Sequence, residues 1–306
     1  MRPFFLFITI ISITFIVISC TNASYICYFK EDGLRSVTLN AIAQASHSLD
    51  ICVYDISDAE IIELLNVKAS EGVTVRICTD DSNSLFLTSS RVIYDTTGLM
   101  HNKYMIIDGK RLWCGSTNLT PTSLDEHENN VILTDDTNLI ELFTNHFEQC
   151  FEGRFKTQRT PSDSPVVKFS PEENCFDMIL KELSTAKRSV KIAMFAFSDN
   201  RIAHYLKILS SKGVNIKIIA DREWNISSIY SDVEEMSRYT DMRFDGCQAL
   251  LHEKFVIIDD RLLLTGSYNY TASAQSRNDE FLIKTSDIYL LERFISHFDR
   301  LWSESL

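Results

Sequence analysis

The sequence predicts an α/β protein of two pseudo-symmetric halves, each a mostly parallel sheet flanked by helices, behind an N-terminal apolar segment. Three observations carry this expectation. A polar pattern, His-x-Lys-x-x-x-x-Asp and then Gly-Ser-x-Asn, occurs at His101, Lys103, Asp108, Ser116 and Asn118. It returns 151 positions later at His252, Lys254, Asp259, Ser267 and Asn269. Upstream of each copy a helix-turn-strand pattern repeats with an offset of 141, from Ser57-Asp58 to Asp80 and from Ser198-Asp199 to Asp221. Each half then closes on an amphipathic helix, with Ile140, Phe143, Phe147 and Phe151 in the first and Leu291, Phe294, Phe298 and Trp302 in the second. Self-similarity of this kind marks a duplicated supersecondary unit, and alternating strand and helix patterns read as βαβ units. The aromatic stripes at helical spacing are read as core.

Residues 1–23 form a signal peptide or membrane anchor. No charge occurs from Pro3 to Phe29, and Phe4 to Ile18 is almost continuously apolar, flanked only by Arg2. The charge-free run reaches the ~20 residues that a bilayer span needs. Three alternatives stand: a retained anchor, a signal peptide cleaved after Ala23, and a lipoprotein-type site at Val17-Ile18-Ser19-Cys20. Each makes the protein membrane-associated or exported. Residues 24–156 form the N-terminal half and residues 166–306 the C-terminal half. Between them, residues 157–165 are polar, hold two of the five prolines and read as a linker. In each half a helix ends at a Gly-capped turn, Gly72 or Gly213, before the next strand. The second half gains ten residues before its His-x-Lys strand; Ile229, Val233 and Met236, at helical spacing, predict a short helix or lid near the site opening.

The chemistry of the repeated stretch follows from strand alternation. Residues i and i+2 share a face, so His101 and Lys103 point one way, as do His252 and Lys254. Turns at Asp108-Gly109-Lys110 and Asp259-Asp260-Arg261 lead into a second strand, and Asn118 or Asn269 returns beside the pair. Imidazole, ammonium and amide on one surface suit a phosphate ester. Lysine holds anionic oxygens as a point charge, Asn donates hydrogen bonds, and a neutral imidazole attacks phosphorus. A single His-x-Lys pair is ordinarily a solvated strand face; two copies in register, each with its Gly-Ser-x-Asn, reverse that reading.

On these residues the sequence resembles the phospholipase D superfamily, whose signature is this motif present twice per active unit. Met100-His101-Asn102-Lys103 through Ile106-Ile107-Asp108-Gly109-Lys110 is most similar to Zucchini-type endonucleases and mitochondrial cardiolipin hydrolases. Those proteins carry one motif per chain and dimerise. The resemblance implies a fused equivalent with motifs meeting at a pseudo-twofold axis, no required homo-oligomer, and a mitochondrial outer-membrane location as one option. It also implies a two-step displacement: one histidine forms a phosphohistidine while the other protonates the leaving oxygen and later activates water. Lys103, Lys254, Asn118 and Asn269 would stabilise the transferring phosphoryl group. Ser116 and Ser267 would assist phosphate binding or pack beneath it, and Asp108 and Asp259 would organise the strand-turn unit. Glu280, within Asn278-Asp279-Glu280, is similar to the family's Asn-x-Glu element and is expected to accept from Nδ1 of His252. The first-half position set against it is Asn130, which leaves His101 without a carboxylate unless Glu128 or Glu126 substitutes. The nucleophile stays unassigned. No metal or other cofactor is expected, since the lysines supply the positive charge.

The remaining residues narrow the function less. A formal charge of −12 disfavours broad nucleic-acid binding, although Lys110, Arg111, Arg222, Arg261 and Arg277 fall near the motifs. The apolar N-terminus favours a phospholipid such as cardiolipin; the Zucchini-like motif favours single-stranded RNA or DNA. Two further alternatives are a transferase and a catalytically silent phosphate-binding scaffold. Eight cysteines show no metal-ligand spacing, and Cys52, Cys78 and Cys114 read as buried thiols. His47, His127, His146, His204 and His297 lack motif context and read as packing or surface residues. Asn22 and Asn225 head glycosylation sequons that matter if the chain is secreted.

Overall fold

The computed structural model describes residues 24–306 except Ser84, Phe86 and Ser89. The expected anchor or signal peptide, with Cys20 and Asn22, lies outside the described residues. Among those described, no helix is long and apolar enough to cross a membrane.

The first half runs β1 (Tyr25–Phe29), α1 (Leu34–Ala43), β2 (Ser48–Val53), α2 (Ala59–Ser70), β3 (Thr74–Asp80), β4 (Arg91–Asp95), β5 (Leu99–Met100), β6 (Lys103–Ile107), β7 (Arg111–Gly115), α3 (Pro121–Asp125), β8 (Asn130–Thr134) and α4 (Thr137–Phe151). The second runs β9 (Val167–Ser170), α5 (Cys175–Leu183), β10 (Ser189–Met194), α6 (Asn200–Ser211), β11 (Asn215–Ala220), α7 (Arg222–Ser227), α8 (Val233–Met236), β12 (Asp241–Phe244), β13 (Lys254–Ile258), β14 (Leu262–Gly266), α9 (Ala272–Ser276), β15 (Asn278–Thr285) and α10 (Ile288–Glu304). Aspartates start the main helices as expected. Asp58 accepts from the Ile61 N–H at 3.0 Å, and Asp199 from the Arg201 N–H at 3.0 Å. After α2, Gly72 takes φ +94°, and after α6, Gly213 takes +85°, left-handed values that let Val73 and Val214 turn back into the core.

Strand direction departs from the expectation of mostly parallel sheets. The first sheet is ordered β1-β8-β7-β6-β2-β3-β4 and the second β12-β11-β10-β13-β14-β15, with β9 and β5 also on β15. Pairing is parallel within β2-β3-β4 and β10-β11-β12 and where β5 meets β15; the other pairs are antiparallel. The reason is the turn after each motif. The three-residue connections β6-β7 and β13-β14 can join only antiparallel neighbours, whereas the parallel steps β2-β3 and β10-β11 are made through the crossover helices α2 and α6. The central strands β6 and β13 are buried throughout, which matches their unbroken apolar runs.

The closing helices bind the halves together. Phe143 of α4 meets Phe169 and Phe281 of the second half edge-on, with ring centroids 5.1 and 5.2 Å apart. Phe294 of α10 meets Phe29 of the first half at 5.2 Å. Both helices lie in one core shared by the two sheets, each buried phenylalanine contributing about 1.5–3 kcal/mol. Of the expected stripe only Trp302 is partly exposed, stacked on Phe298 and covered by the guanidinium of Arg243. The linker is not merely a solvated tether. Arg159 is buried and donates to Glu172 and, at 2.6 Å, to Asp279. In the inserted segment α7 and α8 are short; Val233 and Met236 are buried, but Ile229 lies outside both helices and is exposed. Asn225 is buried and donates to the carbonyls of Phe195 and Asp221, so its sequon is closed. The seven described cysteines are free, with Cys52, Cys78 and Cys114 buried as expected.

Candidate active site

The two motifs converge on one cleft of about 710 Å³ lined by His101, His252, Asn118 and Asn269. His101 precedes β6 and His252 precedes β13. Each is clamped by the opposite half: the His101 N–H donates to the Asp279 carbonyl at 2.9 Å, and the His252 N–H to the Glu128 carbonyl at 2.9 Å. Lys103 and Lys254 begin the strands. Each Nζ donates to the carbonyl of its own histidine, at 2.7 and 2.6 Å, and each ammonium lies over a ring, Tyr54 at 5.3 Å and Phe195 at 4.9 Å.

The histidine partners cross between halves, which corrects the expected pairing. Glu280 accepts from Nδ1 of His101 at 2.7 Å, not from His252. The Nδ1 of His252 instead meets Oδ1 of Asn129 at 2.9 Å. That amide is fixed, since its oxygen also accepts from Ser116 Oγ at 2.8 Å and its NH₂ donates to the Ser123 carbonyl at 3.1 Å. Asn130, expected as the orienting residue, faces the other way. It donates to Glu253, and its N–H reaches Ser116 Oγ. Glu128 binds Lys30 and Arg300 rather than a catalytic imidazole. With Nδ1–H donating in both cases, each Nε2 keeps a lone pair for the cleft.

Burial and crowding of positive groups set the electrostatics. Desolvation lowers the pKa of His101, opposed by the Glu280 carboxylate and reinforced by Lys103. His252 lies well below its ordinary value through desolvation and then Lys254, Lys103 and His101. Lys103 is pushed down to about 7 by burial, against the pull of Glu280. Lys254 is lowered well below its usual range by burial and by Lys103. A site with two strained lysines and a carboxylate on one histidine is complementary to an anion, whose arrival would restore the protonated forms.

The other expected residues sort by depth. Asp108 and Asp259 do not touch the cleft. Asp108 accepts from the backbone N–H groups of Ser46, His47 and Ser48, and Asp259 from those of Lys187, Arg188 and Ser189. Ser116 and Ser267 are buried below the cleft; Ser267 Oγ accepts from the Phe281 N–H at 3.0 Å. Of the five basic residues near the motifs, Arg277 lines the cleft. Arg111 and Arg261 lie at the far ends of the hairpins, bonded to Gln44 and Thr185. Asn129, Tyr54, Phe195, Trp224 and Tyr230 were not singled out from sequence. The first three had a signal: Asn129 lies 151 positions before Glu280, and Tyr54 and Phe195 are 141 apart.

Two pseudo-equivalent halves, each giving one histidine and one asparagine to a shared cleft with its motif lysine buried behind the histidine, define the class of the protein. The family model for "Cardiolipin synthase, PLD-like domain" matches residues 38–151 and 179–302, so the chain belongs to the phospholipase D superfamily. It is 30% identical over 132 residues to the mitochondrial cardiolipin hydrolase of Xenopus tropicalis, covering 43% of this chain and 63% of that protein. It is 31% identical over 140 residues to the phospholipase D of Rickettsia typhi, covering 45% of this chain and 68% of that one. The fold is shared with the phosphatidylserine synthase of Haemophilus influenzae Rd KW20 at a TM-score of 0.68 and 13% identity, over 93% of this chain and 87% of that chain.

Proposed function

We propose that the chain is a phosphodiesterase that hydrolyses a membrane phospholipid such as cardiolipin through a phosphohistidine, with His101 as nucleophile. The observation that carries the assignment of roles is the Nδ1 contact of His101 with Glu280. A carboxylate there holds the imidazole with Nε2 free and stabilises the positive charge that the ring acquires on forming a P–N bond. The His252 ring, held by a neutral amide, suits the proton shuttle. In the first step Nε2 of His101 attacks phosphorus, the bond to the leaving alcohol breaks, and protonated His252 gives that oxygen its proton. In the second, His252 takes a proton from water as the water oxygen attacks phosphorus, and the P–N bond breaks. Lys103, Lys254, Asn118 and Asn269 hold the non-bridging oxygens throughout.

The lipid reading is supported by the names of the relatives, while the aromatic walls of the cleft, Tyr54, Phe195, Trp224 and Tyr230, suit a lipid or stacked bases alike. The test offers the full chain cardiolipin and phosphatidylcholine vesicles beside single-stranded RNA and DNA, with chelator present. Phospholipid cleavage should disappear in His101→Asn and His252→Asn proteins. Cleavage of nucleic acid alone would replace the lipid reading with a nuclease, and binding of phosphodiesters without turnover would replace it with a scaffold. Adding a primary alcohol separates hydrolysis from transfer, because only a transferase yields the exchanged ester.

A further inference from the structure

Among the described residues, one segment beside the cleft exposes a run of apolar side chains. Ile226 is 61% exposed, Ile229 88% and Tyr230 74%, all within the short stretch formed by α7 and the turn after it. The base of this stretch is firm: Asp221 caps α7 through the Trp224 N–H at 2.7 Å, and the buried Asn225 ties it to Phe195 and Asp221. Its two sides face different spaces. Trp224 and Tyr230 line the catalytic cleft, while Ile226 and Ile229 border a second recess of about 510 Å³ that also includes Val233, Met242, Phe244 and Leu306. The exposed isoleucines therefore stand at the rim of the site rather than in it.

We propose that this segment is a membrane-docking tip: Ile226, Ile229 and Tyr230 enter the interfacial region of a lipid bilayer and bring the cleft mouth to headgroup depth. The inference rests on the phospholipid reading and deepens it. Two aliphatic side chains beside a tyrosine match the boundary between headgroup and acyl chain, where an apolar body and a polar hydroxyl are both satisfied. Continuity with the cleft supplies the reason for that occupant. A phosphodiester at headgroup depth is reached by His101 and His252 only if the cleft rim sits in the interface. A single-stranded nucleic acid would use aromatic faces for stacking, and two of the three exposed side chains here are aliphatic.

The test compares the full chain with an Ile226→Asp/Ile229→Asp variant on phosphatidylcholine vesicles containing cardiolipin and lipids brominated near the headgroup. Bromine quenches tryptophan at contact, so the emission of Trp224 reports the depth of the tip itself, whatever attachment residues 1–23 provide. A Trp224→Phe protein assigns that emission. Wild type should be quenched, and the variant should need about tenfold more lipid for the same quenching. Turnover of soluble bis(p-nitrophenyl) phosphate should stay within about twofold of wild type. Equal quenching of both proteins overturns the proposal. So does a parallel loss of soluble turnover, which would make the segment a wall of the cleft, or a fall in solution mass in the variant, which would make it a contact between copies. Quenching without phospholipid cleavage upholds the tip and sinks the substrate reading. Phospholipid cleavage unaffected by the variant does the reverse.

Discussion

In the proposed mechanism the division of labour turns on Glu280, through its contact with Nδ1 of His101. Because its carboxylate raises the pKa of His101 while burial lowers it, a Glu280→Gln protein should have a His101 that is harder to protonate. With His101 as the proposed nucleophile, the acidic limb of the kcat/KM profile would report its neutral form, so it should move to lower pH in the variant, while kcat falls about 10²-fold through loss of imidazolium stabilisation. A limb that stays in place would remove Glu280 from the mechanism. The alkaline loss of the wild type should begin below neutrality, because His252, the proposed proton donor, is held well below its ordinary value by burial and the neighbouring cations, and should steepen where Lys103, pushed down to about 7, loses its proton. The motif residues at this scale were legible because the repeat fixed them. The orienting residues were legible only in part: Glu280 stood out but not the histidine it holds, and although Asn129 lies 151 positions before it, Asn129 and Asn130 are neighbours with opposite directions, so a one-residue slip exchanges the side chain that holds His252 for the one that meets Glu253.

At the scale of elements, the aspartates of the motifs act on strand ends rather than on substrate. Asp108 has a left-handed φ of 53° and gathers three successive N–H groups at the entry to β2. Burial raises its carboxyl pKa, but those hydrogen bonds outweigh it and leave the group below its ordinary range. An Asp108→Asn protein, which tolerates the backbone conformation, should lose about 1–3 kcal/mol in urea unfolding near neutral pH. The folded pKa is depressed, so this stability is fully present above the unfolded value of about 3.9 and lost as pH falls through the folded one. The difference between the two proteins should therefore narrow in acid. A constant gap would mean that the charge contributes nothing. Strand existence was legible from the apolar runs, but strand direction was not, because an apolar run looks alike in a parallel and an antiparallel neighbour; the tight turns alone carried that information.

For the whole molecule, the buried Arg159 couples linker, helix packing and site. It joins Glu172 to Asp279, whose carbonyl accepts from the His101 backbone. Burial raises the Asp279 pKa to about 7 against the pull of Arg159. An Arg159→Met protein should unfold about 3–5 kcal/mol more easily, since two carboxyl groups lose their counter-ion, and turnover should fall with it. Unchanged unfolding would show that the pair is dispensable. A polar linker sequence gave no sign of this role, because a buried arginine is recognised only by partners more than ten residues away.

By itself the sequence determined the duplication, the two His-Lys pairs, the amide donors and the capped helices. Each is a local or periodic property, written in spacing and in side-chain alternation. Only the tertiary structure decided that the histidine partners cross between halves, that the sheets are largely antiparallel around the site, and that an apolar tip stands at the cleft rim. Those depend on which surfaces meet in space, and a one-dimensional pattern carries the period of a repeat but not the direction in which two repeats face each other.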